Sequence, residues 1–275
     1  MKQQLAIATM HGKEKAIGPV WEPLGFEMVL PESLNTDSFG TFTGEIDRIL
    51  SPYEAAKAKC ISAIQQTGTR YAIASEGSFG PHPQYYWLPA DEEWLVWFDA
   101  QTQQEIKIKV ISTETNFAAK ACNSMEEVTA FCKQVFFPSH ALIAKRSQTD
   151  FQNMHKGITS GELLFELAST WLQQFGSIYL ETDMRAMYNP MRMSVIKQAA
   201  EKLAKKYQST CTECGAPGFD VTRVMTGLPC GACATPTSQT RAHVYICGSC
   251  GYETKVEFPY GKKQADPQFC PSCNP

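Results

Sequence analysis

Short apolar runs alternate with amphipathic stretches from the start of the chain to about Tyr207, and the period of the pattern changes from one to the next. Leu5-Ala6-Ile7-Ala8-Thr9 and Tyr71-Ala72-Ile73-Ala74 are continuous apolar runs of the kind a buried strand shows. Phe26-Glu27-Met28-Val29-Leu30 alternates apolar and polar residues, as a strand with one wet face does. The segment from Lys13 to Leu24 has helical character, is interrupted by Gly18-Pro19 and ends at Gly25. Ser51-Pro52-Tyr53-Glu54 is a capping box with proline at the first helical position, which predicts a helix to about Gln66, before Gly68.

Further along, two hairpin-like strands are expected near Glu93–Phe98 and Glu105–Ile111. Ser124-Met125-Glu126-Glu127 opens a helix ending near Phe136, and Ala141-Leu142-Ile143-Ala144 is a short buried strand. Thr159-Ser160-Gly161-Glu162 caps a helix from Leu163 to Phe175 that Gly176 closes, Ile178-Tyr179-Leu180 follows as a strand, and Asn189-Pro190 opens a last helix to about Tyr207. Strands and helices in this order predict an α/β domain over residues 1–207, with a mixed sheet flanked by helices.

Several of these junctions suggest chemistry. The first and second apolar runs stop at Met10-His11-Gly12-Lys13 and at Ser75-Glu76-Gly77-Ser78-Phe79-Gly80. Ligands of open α/β sheets sit beyond the carboxyl ends of the strands, so Lys13 and Glu76 are expected to face each other across one crevice. The loop from Asn35 to Glu45 is rich in hydroxyls, glycine and acids and is a candidate binding loop. At the last helix, Asn189 suits the N-cap, and Arg192 in the first turn with Arg185 upstream makes a phosphate site beside the free N–H groups; the plainer alternative is a structural cluster of Asp183 with the two arginines. His82, between two prolines, is a candidate ligand or the histidine of a rigid exposed turn.

Composition narrows this picture. In 275 residues, 25 basic and 28 acidic side chains leave a net charge of -3 with no long run of either sign, which argues against a polyanion-binding tail. No apolar run approaches the ~18 residues of a membrane span, and Met1-Lys2-Gln3-Gln4 leads into a strand without an apolar leader, so a cytoplasmic protein with no membrane partner is expected.

Of eleven cysteines, eight form Cys-x-x-Cys pairs after residue 210: Cys211/Cys214, Cys230/Cys233, Cys247/Cys250 and Cys270/Cys273. With 15 residues between the first two pairs and 19 between the last two, they match tetrahedral zinc sites, and residues 208–275 are expected to be a double zinc-ribbon domain. Pairing of consecutive motifs is the first reading; interleaved pairing stays open, because Cys247/Cys250 resembles the second knuckle of a ribbon whose first is Cys211/Cys214. All-cysteine sites leave no position for water, so both zincs are structural. Zinc ribbons often bind nucleic acid, yet Lys206 to Pro275 holds six Lys/Arg against five Asp/Glu, which does not favour a phosphate-binding face. Cys60 and Cys132 read as small buried hydrophobes.

The N-terminal motifs carry a resemblance. Ala8-Thr9-Met10-His11-Gly12-Lys13 with Trp21-Glu22-Pro23-Leu24-Gly25-Phe26-Glu27 resembles the opening of the inosine triphosphate pyrophosphatase superfamily, a strand ending in Thr-Gly-Asn-x-x-Lys and a helix ending in Leu-x-x-Leu-Gly. Gly40-Thr41-Phe42-Thr43-Gly44-Glu45 is similar to its Gly-x-Thr-Phe-x-Glu loop, Glu54-Ala55-Ala56-Lys57-Ala58 to its next helix, and Ala74-Ser75-Glu76-Gly77-Ser78-Phe79 to its Ala-Asp-Asp-Ser-Gly-Leu. His11 and Ser75 depart from that pattern, and no Ser-His-Arg motif closes the domain. The whole chain also resembles a bacterial family of unknown function with a cysteine-rich end.

The superfamily resemblance implies an elongated mixed sheet and a cleft in which a nucleoside triphosphate is cut between its α- and β-phosphates. It implies Lys13 on phosphate oxygens, Glu45 and Glu76 on Mg²⁺ or on the attacking water, and Thr9, His11, Thr41 and Ser78 along the substrate. The expected function is therefore a Mg²⁺-dependent hydrolase of a nucleotide phosphoanhydride. The alternatives are a zinc-ribbon adaptor for nucleic acid or protein and a nucleotide sensor without catalysis.

Overall fold

The computed structural model describes residues 2–32, 34 and 50–275. The chain divides into two compact units, Met1–Leu203 and Ala204–Pro275.

The first unit is mixed α/β, with a mixed sheet flanked by helices. Its centre is made by the two apolar runs, β1 (Gln3–Ala8) and β3 (Tyr71–Pro81), which lie parallel with Ala6 opposite Ala72 and Ala8 opposite Ala74. With β2 (Phe26–Val29), β4 (Pro89–Asp99) and β5 (Glu105–Ser112) they form a sheet of order β2-β1-β3-β4-β5, parallel from β2 to β3 and antiparallel from β3 to β5. Small residues on one face, Ala6, Ala8, Ala72 and Ala74, admit α2 (Pro52–Thr67) through its Ala56, Cys60 and Ala63. Ser51 and Glu54 cap that helix reciprocally, and Gly68 ends it at φ 70°, a left-handed conformation that glycine adopts without strain. Cys60 is fully buried with its thiol on the Val96 carbonyl at 3.4 Å, and burial pushes its pKa up, so it is a packing residue and not a nucleophile. Aromatic rings from Trp21, Phe26, Tyr71 and Trp97 run in contact beside α1 (Glu14–Trp21).

An antiparallel sheet of order β6-β9-β7-β8 follows, made of β6 (Ala119–Cys122), β7 (Leu142–Lys145), β8 (Met154–Ile158) and β9 (Ile178–Thr182). It shares a core with α3 (Met125–Gln134) and α4 (Gly161–Phe175), in which Val128, Phe131, Leu164 and Ala168 meet Leu142, Ile178 and Leu180. After it comes α5 (Pro190–Gln208).

The structure corrects one expected boundary. β3 does not stop at Ala74: Ser75 to Pro81 continue the strand, because β4 starts at Pro89 and pairs with it over its whole length. The polar residues at 75–78 are therefore strand residues whose side chains alternate between the two faces of the sheet, while β1 ends at Ala8 and its pairing with β3 ends at Ala74.

The second unit is an antiparallel meander of β10 (Val221–Thr226), β11 (Thr240–Ile246) and β12 (Glu253–Glu257). No helix among the described residues is long and apolar enough to cross a membrane.

Candidate functional site

The turn after β1 brings a lysine onto β3 just beyond the last β1–β3 pair. Thr9 Oγ1 accepts the amides of His11 at 3.0 Å and Lys13 at 3.4 Å, which folds Met10 to Lys13 across the strand end. Lys13 Nζ then donates to the Ser75 carbonyl of β3 at 3.1 Å. Only 6% of Lys13 is exposed. Burial first, and the nearby Arg192 guanidinium second, pull its pKa from 10.5 down to about 7, against the opposing pull of Glu93.

Glu76 does not bond Lys13 directly. Its carboxylate pairs with Lys59 of α2, both side chains nearly buried, and its field reaches Lys13 only as a minor influence. Gly77 turns to the other face, opposite Glu93 of β4. There Arg192 Nε holds Glu93 Oε1 at 2.5 Å and Arg192 Nη1 holds the Met184 carbonyl at 2.5 Å. A Cβ at position 77 would lie 2.5 Å from both Arg192 Nη2 and Glu93 Oε1, so only glycine leaves room for the pair. Asp91, two residues before Glu93 on the same face, is fully buried; neither of its oxygens, nor Glu93 Oε2, has a hydrogen-bond partner among the described residues. Burial, with Glu93 adding to it, raises Asp91 from 3.8 to about 8, while Arg192 and Lys13 oppose the rise.

Arg192 reaches Glu93 because its helix starts as the sequence suggests. Asn189 Oδ1 accepts the Arg192 amide at 3.0 Å, an N-cap bond, and Asn189 Nδ2 donates to Asn116 Oδ1 at 2.8 Å. Arg185 is held by Asp183 through its Nε and Nη2, and Asp183 also accepts the amide of Gly157 at 3.0 Å. Both arginines thus hold buried acids. His82 Nδ1 accepts the amides of Gln84 and Tyr85 and shapes the β3–β4 turn. His11 and Ser78 are partly exposed; Thr41 and Glu45 lie outside the described residues.

Lys59, Asp91 and Glu93 escaped the sequence reading, although each left a trace. Lys59 sits on the buried stripe of α2 between Ala55 and Ala63, where a charge needs a partner. Asp91 and Glu93 share a strand face with the buried Leu95 and Trp97.

The pKa of Lys13 has a measurable consequence. Between pH 7 and 10.5 the unfolded chain keeps a proton on this lysine that the folded chain has released, so this group makes stability rise with pH. Lys13→Met is expected to be more stable than wild type near pH 7, and the difference to shrink toward pH 10.5; urea unfolding across that range measures it.

In the second unit the cysteines gather as Cys211, Cys214, Cys247 and Cys250, and as Cys230, Cys233, Cys270 and Cys273, with ligand atoms in each group within 4.8 Å of one another. The interleaved pairing replaces the consecutive one, and the meander explains it. Consecutive pairing would join the two ends of β10, six residues that span ~20 Å. The antiparallel turn-back brings the start of β10 beside the end of β11, and the end of β10 near the end of β12, which unites alternate motifs.

The donor sets fit zinc. Bonds of ~2.3 Å to sulfur set tetrahedral edges of roughly 3.8 Å, and the Sγ atoms of Cys211 and Cys250 are 3.8 Å apart, Cys214 and Cys247 3.6 Å, Cys230 and Cys273 3.9 Å, Cys233 and Cys270 3.6 Å. Backbone N–H groups of Ala232 and Ser249 point at Cys230 and Cys247 Sγ at 3.4 Å. Burial opposes ionisation of Cys247, but amide donors from Cys250 and Ser249 outweigh it and bring its pKa to about 6. Two four-cysteine groups with no open position are compatible with two structural zinc ions.

Residues 59–275 match the family described as Domain of unknown function (DUF6671). No curated protein matches the chain.

Proposed function

The chain belongs to that family of unknown function, and from the side chains gathered at the end of β1 we propose that it hydrolyses a phosphoanhydride of a nucleotide, releasing pyrophosphate from a nucleoside triphosphate with Mg²⁺ as cofactor. The observation that carries this reading is Lys13: a nearly buried lysine at a strand end, its pKa held near 7, within the field of Glu93 on one face of the sheet and, more weakly, of Glu76 on the other. A lysine in that state gains on meeting phosphate, whose charge draws its proton back. The N-terminal resemblance to the inosine triphosphate pyrophosphatase superfamily supports the same site and the same fold for the first sheet.

In this reading Lys13 Nζ holds oxygens of the phosphate under attack. Glu76, fixed by Lys59, orients a water and takes its proton as the oxygen adds to phosphorus and the bond to pyrophosphate breaks, help worth ~10²- to 10⁴-fold. Mg²⁺ would neutralise the polyphosphate charge. Arg192 and Arg185 act at one remove, Arg192 by keeping Glu93 in place and Arg185 by fixing Asp183. The zinc unit is a metal-built module whose near-neutral charge gives no support to a nucleic-acid role.

Equilibrium binding of a triphosphate analogue blocked against hydrolysis tests the assignment of Lys13. Wild type is expected to take up a proton on binding at pH 8, and Lys13→Met to bind about 100-fold more weakly, the scale for losing one side of a buried charge pair. Equal affinity of the two proteins, with no proton uptake, contradicts it.

A further inference from the structure

We propose that Asp91 and Glu93 of β4 form a divalent-cation site, taking Mg²⁺ or Mn²⁺ through Asp91 Oδ1 and Oδ2 and Glu93 Oε2. This rests on the site of the proposed hydrolase but stands on separate residues from Glu45 and Glu76, to which the sequence resemblance assigns the metal.

Three observations point to a cation. Both side chains are fully buried, and three of their four carboxylate oxygens have no hydrogen-bond partner among the described residues. Leaving a buried acceptor unpaired costs ~1–3 kcal/mol, more for a charged one, and a chain rarely keeps three together without a ligand. The two residues are i and i+2 on one strand, so their side chains leave the sheet on the same face, about 7 Å apart along the strand. The fourth oxygen, Glu93 Oε1, is bound to Arg192 at 2.5 Å, which fixes the carboxylate and directs Oε2 elsewhere.

The donor set also suits the ion. Mg²⁺ typically uses one or two carboxylates and completes its octahedron with water and substrate phosphate, whereas zinc and copper prefer the sulfur and nitrogen donors absent from this cluster. Arg192 is the nearest fixed cation, and Glu93 Oε1 and the Met184 carbonyl already engage it. The cation would thus sit on the β4 side of Lys13, with the phosphate between them.

The test uses Mn²⁺ alone, without nucleotide, added to the zinc-loaded full chain, with free Mn²⁺ read by electron paramagnetic resonance and Mg²⁺ as competitor. About one Mn²⁺ is expected to bind and to be displaced by Mg²⁺. Asp91→Asn should weaken binding at least ~10-fold, and Glu92→Gln, on the opposite face of the same strand and bonded to Trp94 and Lys109, should leave it unchanged. Without metal, Asp91→Asn should unfold at the same temperature as wild type or higher, since it removes a buried carboxylate with no hydrogen-bond partner among the described residues. A large loss of stability in metal-free Asp91→Asn would make Asp91 a structural residue and overturn the proposal. So would Mn²⁺ binding that survives Asp91→Asn, or no binding to wild type. Mn²⁺ binding by a protein that turns over no nucleotide would leave this site standing and remove the hydrolase reading; turnover without cation binding here would do the reverse.

Discussion

Replacing Cys211 and Cys247 together by serine is expected to leave a protein that still holds about one zinc ion per chain, from the two that the cysteine groups accommodate. In the interleaved arrangement both substitutions fall in one site, so the other, Cys230/Cys233 with Cys270/Cys273, keeps all its ligands. In a consecutive arrangement the same pair would break both sites, and no zinc would remain. Removing all zinc with a chelator should unfold the second unit. Its buried apolar residues are few, mainly Phe219, Leu228, Ala242, Val244 and Ala265, and the remaining burial comes from ligands Cys211, Cys230, Cys247 and Cys270. A core of that size cannot offset the chain entropy alone. Structural zinc supplies ~10–16 kcal/mol in small domains, enough to decide whether a core of that size folds. Metal analysis of the double variant and circular dichroism during chelation measure the two effects.

The second large effect is at Arg192. Arg192→Met takes the guanidinium partner from the Glu93 carboxyl, which stays buried next to Asp91, and is expected to cost ~3–5 kcal/mol. Gly77→Ala should damage the same pair from the other side, because its new Cβ needs space that Arg192 Nη2 and Glu93 Oε1 occupy at 2.5 Å. Arg192→Met combined with Glu93→Leu should recover most of the stability, since an apolar pair of similar volume often equals a buried ion pair. Chemical denaturation of the four proteins separates these outcomes: a double variant as unstable as Arg192→Met would show that Arg192 acts through other contacts, such as the Met184 carbonyl.

Much of the first unit was legible because its signals are local. The capping box at Ser51, the left-handed Gly68 and Gly176, and the N-cap at Asn189 depend on a few adjacent residues, and each lies where the local pattern placed it. β3 was harder. Its continuation through Ser75-Glu76-Gly77 depends on β4, and a residue pattern cannot show that Pro89 to Trp94 will pair with it. β6 and β8 have little apolar periodicity, four and five residues with exposed members, and owe their form to β9 and β7. The same limit applies to the cysteines. Spacing identifies the ligands, but which motifs meet depends on the direction of the three strands between them. Near the end of β1, Lys13 and Glu76 stood out beside apolar runs, whereas Asp91 and Glu93 became visible only when their strand face was known to be buried.

The measurement that tests the account most directly is release of pyrophosphate and phosphate from a panel of standard and deaminated nucleoside triphosphates with Mg²⁺, on zinc-loaded protein, with Glu76→Gln beside wild type. The account predicts pyrophosphate from at least one triphosphate, reduced ~10²-fold or more by the substitution. Folded, zinc-loaded wild type that releases pyrophosphate from none of them, or Glu76→Gln that releases it as fast as wild type, would contradict it.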